Sequence, residues 1–366
     1  MSILHRIIDW LERRLNLSEI FSWITTFGVS YVPLNPNQPF RDVFRDAFLK
    51  PVPTFQWPHM LGLFTFVTFI MEGVTGLLLA FYYQPIVGGA YESTRTIIRD
   101  TSFGWYIHQM HYWGAQLLIL FLLIRLGRFI VHRVYRAPRE LFWVFGVVLL
   151  ALTTVAAFTG RLLPWHQGSY WGTLRGLELL HRIPVAGTLM SYFVGGFGID
   201  GFLLSRFYLL HIIFIPVLLL FFFYLHFATL RRVGLSPIES GKPTESPIYP
   251  RYLMNLLILL LVLFGLILTL GVLLPSPFLA QADPYSTPPG VSVPWYSFPV
   301  YGIMEILPGA AGGWVIFLGF WILLLLPFVD SWAERVIKKP WVLNAAALIV
   351  LIFLIYAAYY GYRQRG

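Results

Sequence analysis

The chain contains 366 residues, of which 57% are hydrophobic, 18% are aromatic and only 12% are charged. Soluble domains carry about 25% charged residues, so this composition excludes an ordinary globular protein and predicts an integral membrane protein. The net charge of +9 comes from basic residues in short loops between apolar runs, which favours membrane orientation over nucleic-acid binding. Because cysteine is absent, the chain cannot supply disulfides, thiolate metal sites, iron–sulfur ligands or a covalent c-type haem attachment.

The N-terminal part, residues 1–58, is predicted to lie along the membrane surface. Its first residues, "MSILHRIIDWLERRLNLSEIFSWI", are charged and amphipathic and lack the apolar core of a cleavable signal peptide. The remaining chain divides into residues 59–235 and residues 252–366. The stretch "SPIESGKPTESPIYPR" at 236–251 separates them and is typical of a linker.

Seven apolar segments are long enough to cross about 30 Å of hydrocarbon as helices. The predicted fold class is therefore all-α and membrane-spanning, with a four-helix bundle in residues 59–235 and three helices in residues 252–366. Most of the 26 Lys and Arg residues lie on the side of the N-terminus, which the positive-inside rule assigns to the cytoplasm. The sixth segment is short and its boundaries are weak. The predicted spans are approximately 60–83, 108–131, 142–163, 203–229, 252–274, 313–329 and 341–360.

Histidines occur inside two of these spans. His111 lies in span two, and span four contains His211 and His226, fifteen residues and about 22 Å apart. A single intramembrane histidine is explained equally well by a hydrogen bond within the bundle, but such residues are costly in lipid and often functional. Two depths predict two cofactors stacked across the membrane. Pro216, between the two histidines, can absorb the angular mismatch of their spacing.

Paired glycines provide a second signal. Gly62 and Gly76 in span one are fourteen residues apart, and so are Gly146 and Gly160 in span three. A glycine lets a flat macrocycle approach the backbone, although one such pair alone is more typical of simple helix packing. Together with the histidines, the two equal pairs predict a four-helix bundle that holds haem.

Several stretches resemble the cytochrome b family of quinol-oxidising Rieske/cytochrome b complexes. These are "FGWYIHQMHYWGA" in span two, "TGRLLPWHQGSYWG" after span three, "RFYLLHIIFIP" in span four and "ADPYSTPPGVSVPWYSFPVYGIMEILP" before span six. The similarity is greatest to the photosynthetic branch, whose separate three-helix subunit is here fused. It implies b-type haem, quinol oxidation on the positive side and one electron passing to a Rieske iron–sulfur protein. It also implies a cytochrome c-type or other redox subunit, surrounding membrane lipids, a homodimeric complex and a bacterial inner membrane or its equivalent.

The resemblance also implies roles for single residues. His111 and His211 match the ligands of the positive-side haem, flanked by Gly76 and Gly160. His226 matches one ligand of the negative-side haem. Gly62 and Gly146 match the glycines that flank that second haem.

Arg125 departs from the family pattern, because it occupies the position of the second ligand of the negative-side haem. An arginine stays protonated and cannot bind iron. Three explanations remain open: a haem with His226 as its only protein ligand and Arg125 near a propionate, loss of that haem in favour of lipid or quinone, or another ligand such as His59 or His132.

The second departure concerns the quinol site. The family motif Pro-Glu-Trp-Tyr is replaced by Val293, Pro294, Trp295 and Tyr296, so its proton-accepting glutamate is missing. Glu305, eleven residues further on, is the candidate replacement, although a plain surface carboxylate explains it at least as well.

Four basic residues complete this comparison. Arg161 replaces a family tyrosine beside the quinol pocket, and His108 replaces an arginine near a propionate. His166 and His181 are predicted to be solvated or partner-facing loop residues.

The predicted function is that of a cytochrome b subunit of a quinol-oxidising electron-transfer complex. The alternative is a haem-bearing, quinone-reactive membrane anchor that does not divide the two electrons. A transporter is disfavoured because the spans contain almost no carboxylates apart from Glu72.

Overall fold

The computed structural model describes residues 51–53, 57–185, 187–189, 192, 198–233, 245–247, 250, 253–291, 293–308 and 310–363. The surface segment predicted for residues 1–58 lies almost entirely outside them, as does most of the linker predicted at 236–251. Strand β1 (Pro51–Pro53) pairs antiparallel with β2 (Glu245–Pro247). A short part of the predicted surface segment therefore lies beside a short part of the predicted linker.

Helices form most of the described structure. In chain order they are α1 (Trp57–Ala80), α2 (Val87–Arg99), α3 (Gly104–Val131), α4 (Glu140–Leu162), α5 (Gln167–His181), α6 (Gly201–Leu209), α7 (Ile215–Val233), α8 (Leu253–Leu273), α9 (Phe298–Ile306), α10 (Ala311–Leu324), α11 (Leu326–Ile337) and α12 (Pro340–Arg363). A π-helical turn, Leu210–Phe214, joins α6 to α7.

The predicted all-α membrane fold is confirmed. Six helical spans in the described part of the chain are long and apolar enough to cross a bilayer, and each overlaps one predicted span. Their outer surfaces remain apolar; on α7, for example, Val217 and Leu220 are 59% and 57% exposed. Such a continuous apolar surface requires lipid around it.

The sixth predicted span, 313–329, crosses a break in the chain. Helix α10 ends at Leu324, and α11 starts at Leu326 after a bend of 85°. Pro327 causes the break, because it has no N–H to continue the hydrogen-bond ladder of α10. The 14 residues of α10 cover about 21 Å, so α10 alone is shorter than the hydrocarbon core.

The first four spans pack as a bundle. Helix α1 lies along α3, α4 lies along α7, and α3 also contacts α4 and α8. The π-helical turn carries His211 and directly precedes Pro216 on α7. A π turn accommodates one extra residue. The angular mismatch between His211 and His226, which Pro216 was predicted to absorb, is therefore taken up in this turn.

Helices also occur between the predicted spans: α2 between spans one and two, α5 between spans three and four, and α9 between spans five and six. His166, predicted as a solvated or partner-facing loop residue, is instead the N-cap of α5 and accepts a hydrogen bond from the Ser169 N–H at 3.2 Å. Burial lowers the pKa of His166 to about 4, and the charges of Arg161 and His108 act in the same direction. His181 forms the exposed last residue of α5.

Candidate haem and quinol site

His111 of α3 and His211 of the π turn face each other in the bundle. Their ring centroids are 6.0 Å apart and their planes are perpendicular, at 88°. Two imidazole–metal bonds of about 2 Å, with a ring radius of about 1 Å on each side, require a centroid separation of about 6 Å. The two rings therefore fit the axial positions of a single iron.

The predicted glycines lie against these rings. A Cβ built on Gly76 would be 3.2 Å from Cε1 of His111, and one on Gly160 would be 2.5 Å from Cε1 of His211. A side chain at either position would displace the imidazole. These glycines thus make room for the ligand ring on the neighbouring helix.

Threonines beside both glycines orient the rings, and the sequence analysis missed them. The Thr75 hydroxyl donates to Met71 O at 2.7 Å, and its oxygen lies 3.1 Å from Nδ1 of His111. The Thr159 hydroxyl donates to Val155 O at 3.0 Å and lies 3.4 Å from Nδ1 of His211. The repeated Thr-Gly dipeptide was the available sequence signal. With Nδ1 protonated, Nε2 is left free to bind a metal.

Backbone carbonyls of α4 also contact the Nδ1 atoms of two histidines, one at each depth. His211 Nδ1 is 2.9 Å from Ala156 O, and His226 Nδ1 is 3.1 Å from Phe142 O. Both carbonyls lie four residues before a glycine, Gly160 or Gly146. One helix therefore presents the same carbonyl–glycine unit twice, fourteen residues apart.

His226 is buried on α7 at the second depth, with 6% of its surface exposed. It stacks on Phe142, with ring centroids 4.1 Å apart. A Cβ on Gly146 would be 3.5 Å from its Cε1. Its carbonyl and glycine contacts therefore repeat those of His211, without the threonine.

Arg125 lies at the second depth, on the helix that supplies His111 at the first depth. Its guanidinium acts electrostatically on His226 and lies 5.6 Å from the centre of the Phe129 ring. Among the described residues, no carboxylate forms a salt bridge with it. A Cβ on Gly62 would meet nothing within 4 Å, so the fourth predicted glycine faces open space.

Of the two other candidate ligands, the structure describes the side chain of His132 alone. His132 is the C-cap of α3 and is exposed. The side chain of His59 lies outside the described residues.

A second cluster lies directly beside His111. Trp295 donates its indole N–H to Gln116 Oε1 of α3 at 2.8 Å. The Arg161 guanidinium acts on the phenols of Tyr112 and Tyr296. Burial raises the pKa of Tyr296 to about 12, although Arg161 acts in the opposite direction. Tyr296 therefore stays protonated at neutral pH and can donate a hydrogen bond to a ligand.

Pro294 occupies the position of the missing glutamate and is partly buried, directly after Val293. Val293 is buried, 6% exposed, and packs with Leu179, Ile183 and Met304. Glu305 lies on α9, where it is exposed and its Oε1 is 3.6 Å from Nη1 of Arg182. A proline cannot accept a proton, and the candidate carboxylate borders solvent.

Helix α3 is fixed at its start by the loop that follows α8. Gln109 accepts from the Ser276 N–H at 2.9 Å and donates to Ser276 Oγ at 3.0 Å. Nδ1 of His108 lies 3.4 Å from the same hydroxyl. Contacts from the C-terminal three-helix part thus hold the segment that carries His111.

Two family models match the chain. One, described as cytochrome b/b6/petB, matches residues 49–234, and the other, cytochrome b(C-terminal)/b6/petD, matches residues 281–365. The cytochrome b of Allochromatium vinosum is 31% identical, covering 88% of this chain and 80% of its own length. The cytochrome b6 of Heliomicrobium gestii is 39% identical, covering 53% of this chain and 92% of its own length. A chain of a solved "Hyperthermophilic respiratory Complex III" superposes with a TM-score of 0.69 and 25% identity, covering 88% of this chain and 82% of that one.

Proposed function

Since this chain belongs to the cytochrome b family, we propose that His111 and His211 hold one b-type haem in it. The chain is the cytochrome b subunit of a bc-type, complex III-like membrane complex, within a family that binds b-type haem and quinone. The observation that carries the proposal is the 6.0 Å separation of the two imidazole rings. The bound haem would accept and donate single electrons.

The residues around the ligands have a definite task in this proposal. Thr75, Thr159 and the Ala156 carbonyl accept from Nδ1–H and keep each ring in the tautomer that presents Nε2. Gly76 and Gly160 leave room for the rings, so the two imidazoles are held in place before the haem enters. Such pre-organisation avoids the entropy loss of ordering the ligands on binding.

The quinol would bind beside Trp295 and Tyr296, within reach of Arg161. Quinol oxidation releases two electrons and two protons. A phenol whose pKa is about 12 cannot accept a proton at neutral pH, so Tyr296 would orient the quinol as a hydrogen-bond donor. Glu305, which borders solvent, would take a proton and release it to the positive side. One electron would pass to the haem that His111 would hold, and His111 directly precedes Tyr112 of the same cluster.

The second site would differ in kind from the first. A bis-imidazole haem does not fit there, because Arg125 cannot bind iron. His226 would be the only protein ligand of the second haem, between Gly62 and Gly146. Arg125 would pair with an acidic group at that site, such as a haem propionate. This pairing would also explain why a cation is tolerated within an apolar span.

The chain needs other redox proteins. Without cysteine it cannot hold an iron–sulfur cluster itself, so a Rieske protein would take one quinol electron and pass it to a cytochrome c-type or other subunit. The complex would be a homodimer in a bacterial inner membrane or an equivalent membrane, with the N-terminus in the cytoplasm. Purification of the tagged complex from native membranes would test this subunit list.

Optical spectroscopy tests the haem proposal directly. We expect a reduced-minus-oxidised spectrum of a low-spin b-type haem and a positive pyridine haemochrome assay. A protein purified without haem from haem-sufficient cells would contradict the proposal.

A further inference from the structure

Glu72 is a carboxylate in the middle of the apolar helix α1. Its Oε2 lies 3.1 Å from Nδ1 of His111. Its Oε1 is buried and has no hydrogen-bond partner. Placing a carboxylate within a membrane span is costly, so such a residue normally has a specific partner.

The two proposed ligands of the first site provide an internal comparison. Each contacts a Thr-Gly pair and also the backbone carbonyl of the residue four positions before that glycine. For His211 that residue is Ala156, which has no polar side chain. For His111 it is Glu72, whose carboxylate adds a third acceptor for the same N–H. The two environments differ mainly in this one group.

Gly114 makes room for the carboxylate. It lies three residues after His111 on the same face of α3, and a Cβ built on it would collide with Oε1 of Glu72. The absence of a side chain at position 114 therefore allows Glu72 to reach His111. This contact is separate from the one between Glu72 and the imidazole.

We propose that Glu72 is a positioning residue that accepts the Nδ1–H of His111 and lowers the midpoint potential of the haem held by His111 and His211. The inference rests on the proposed haem site. A carboxylate that accepts from a ligating histidine makes that histidine a stronger donor to the metal. Stronger donation stabilises the oxidised iron, and hydrogen bonding around axial ligands is a recognised control of haem potential.

The test is a redox titration of the purified complex carrying Glu72→Gln, followed by haem absorbance. The amide keeps the shape and the hydrogen-bonding oxygen but removes the charge, and charge-assisted hydrogen bonds are about twice as strong as neutral ones. We expect the reduced-to-oxidised ratio at a fixed ambient potential to rise about tenfold, which is 59 mV for one electron. The low-spin electron paramagnetic resonance signal should move as well.

Glu92→Gln is the matched control. Glu92 is an exposed carboxylate on α2, paired with Arg95 at 3.3 Å, and its replacement should leave the potential unchanged. Gly114→Ala should raise the potential in the same direction as Glu72→Gln, because it displaces the carboxylate. If Glu72→Gln fails to bind haem, Glu72→Asp is the second variant to measure. Haem that is retained in Glu72→Asp, at close to the wild-type potential, supports the proposal.

Two results would overturn this inference. One is a haem-loaded Glu72→Gln protein with an unshifted potential, and the other is loss of haem in the Gln and Asp variants alike. Both are distinct from failure of the haem site itself, in which the wild-type protein shows no low-spin haem.

Discussion

Arg125 and His226 face the second site from opposite helices, α3 and α7, and the charge of Arg125 acts directly on the His226 imidazole. At the first depth the corresponding positions are His111 and His211, whose rings are 6.0 Å apart. The bundle thus has one site with two imidazoles and one site with an imidazole and a guanidinium. This difference determines which iron coordination each depth can support.

Arg125→His is expected to convert the proposed second haem, held by His226 alone, to bis-imidazole ligation. The new ring would lie opposite His226, next to the open space at Gly62, as in the first site. The amplitude of the low-spin resonance signal per haem measures the effect, and the second low-spin signal should equal the first. Arg128→His, one turn further along α3, should add none. An unchanged low-spin signal in Arg125→His would refute the assignment of this position.

Glu305→Gln is expected to slow quinol oxidation about 100-fold, which is the lower range for loss of a general base. Stopped-flow reduction of the haem by quinol measures the rate. Glu178→Gln, an exposed carboxylate on α5, provides the control and should be neutral. Turnover at the wild-type rate in Glu305→Gln would remove this residue from the proposed mechanism and leave it as the surface partner of Arg182.

Asp330 connects the loop between α3 and α4 to α11. Its Oδ2 accepts from Nε of Arg136 at 2.9 Å and from the Tyr135 hydroxyl at 3.1 Å, and it lies 2.8 Å from Nη2 of Arg136 in an ion pair. Asp330→Asn should cost about 2 kcal/mol of stability, because charge-assisted hydrogen bonds are lost at a largely buried position. Thermal unfolding in detergent measures this. Glu334→Gln, which breaks a more exposed pair with Arg136, should cost less than 1 kcal/mol; equal losses would contradict this ranking.

His166 makes stability depend on pH in a defined direction. Its pKa falls from 6.5 to about 4 on folding, so below pH 6.5 the unfolded chain binds a proton that the folded protein does not. Stability is therefore lost as the pH falls from about 6.5 towards 4 and is unaffected above that range. His166→Asn keeps an N-cap without a titrating ring, so its melting temperature should depend less on pH in this window. A melting curve with the same pH dependence in both proteins would contradict the assignment.

The sequence predicted the parts of the site that depend on helical repeats. Spacings of fourteen and fifteen residues along apolar helices translate directly into depth, so the two depths of His211 and His226 followed from counting. The place of Gly160 beside His211 was implied by the family resemblance. The Thr-Gly repeat at positions 75 and 159 was visible but was not used, because threonine within a helix usually bonds its own backbone.

Other features depend on contacts between distant segments. Trp295 reaches Gln116 across 179 positions, and Arg136 reaches Asp330 across 194. Nothing local in an apolar helix indicates which neighbour it will contact. The break at Leu325 was also missed, because uniform hydrophobicity masked the effect of Pro327 on the preceding helix.

The central claim is that one haem lies between His111 and His211, and substitution of His211 tests it most directly. Absorbance spectra of reduced and oxidised His211→Ala, compared with the wild-type protein at equal chain concentration, are the measurement. We expect the low-spin bis-imidazole bands of the wild-type protein to disappear from this variant. Retention of the wild-type bands in His211→Ala would contradict the claim.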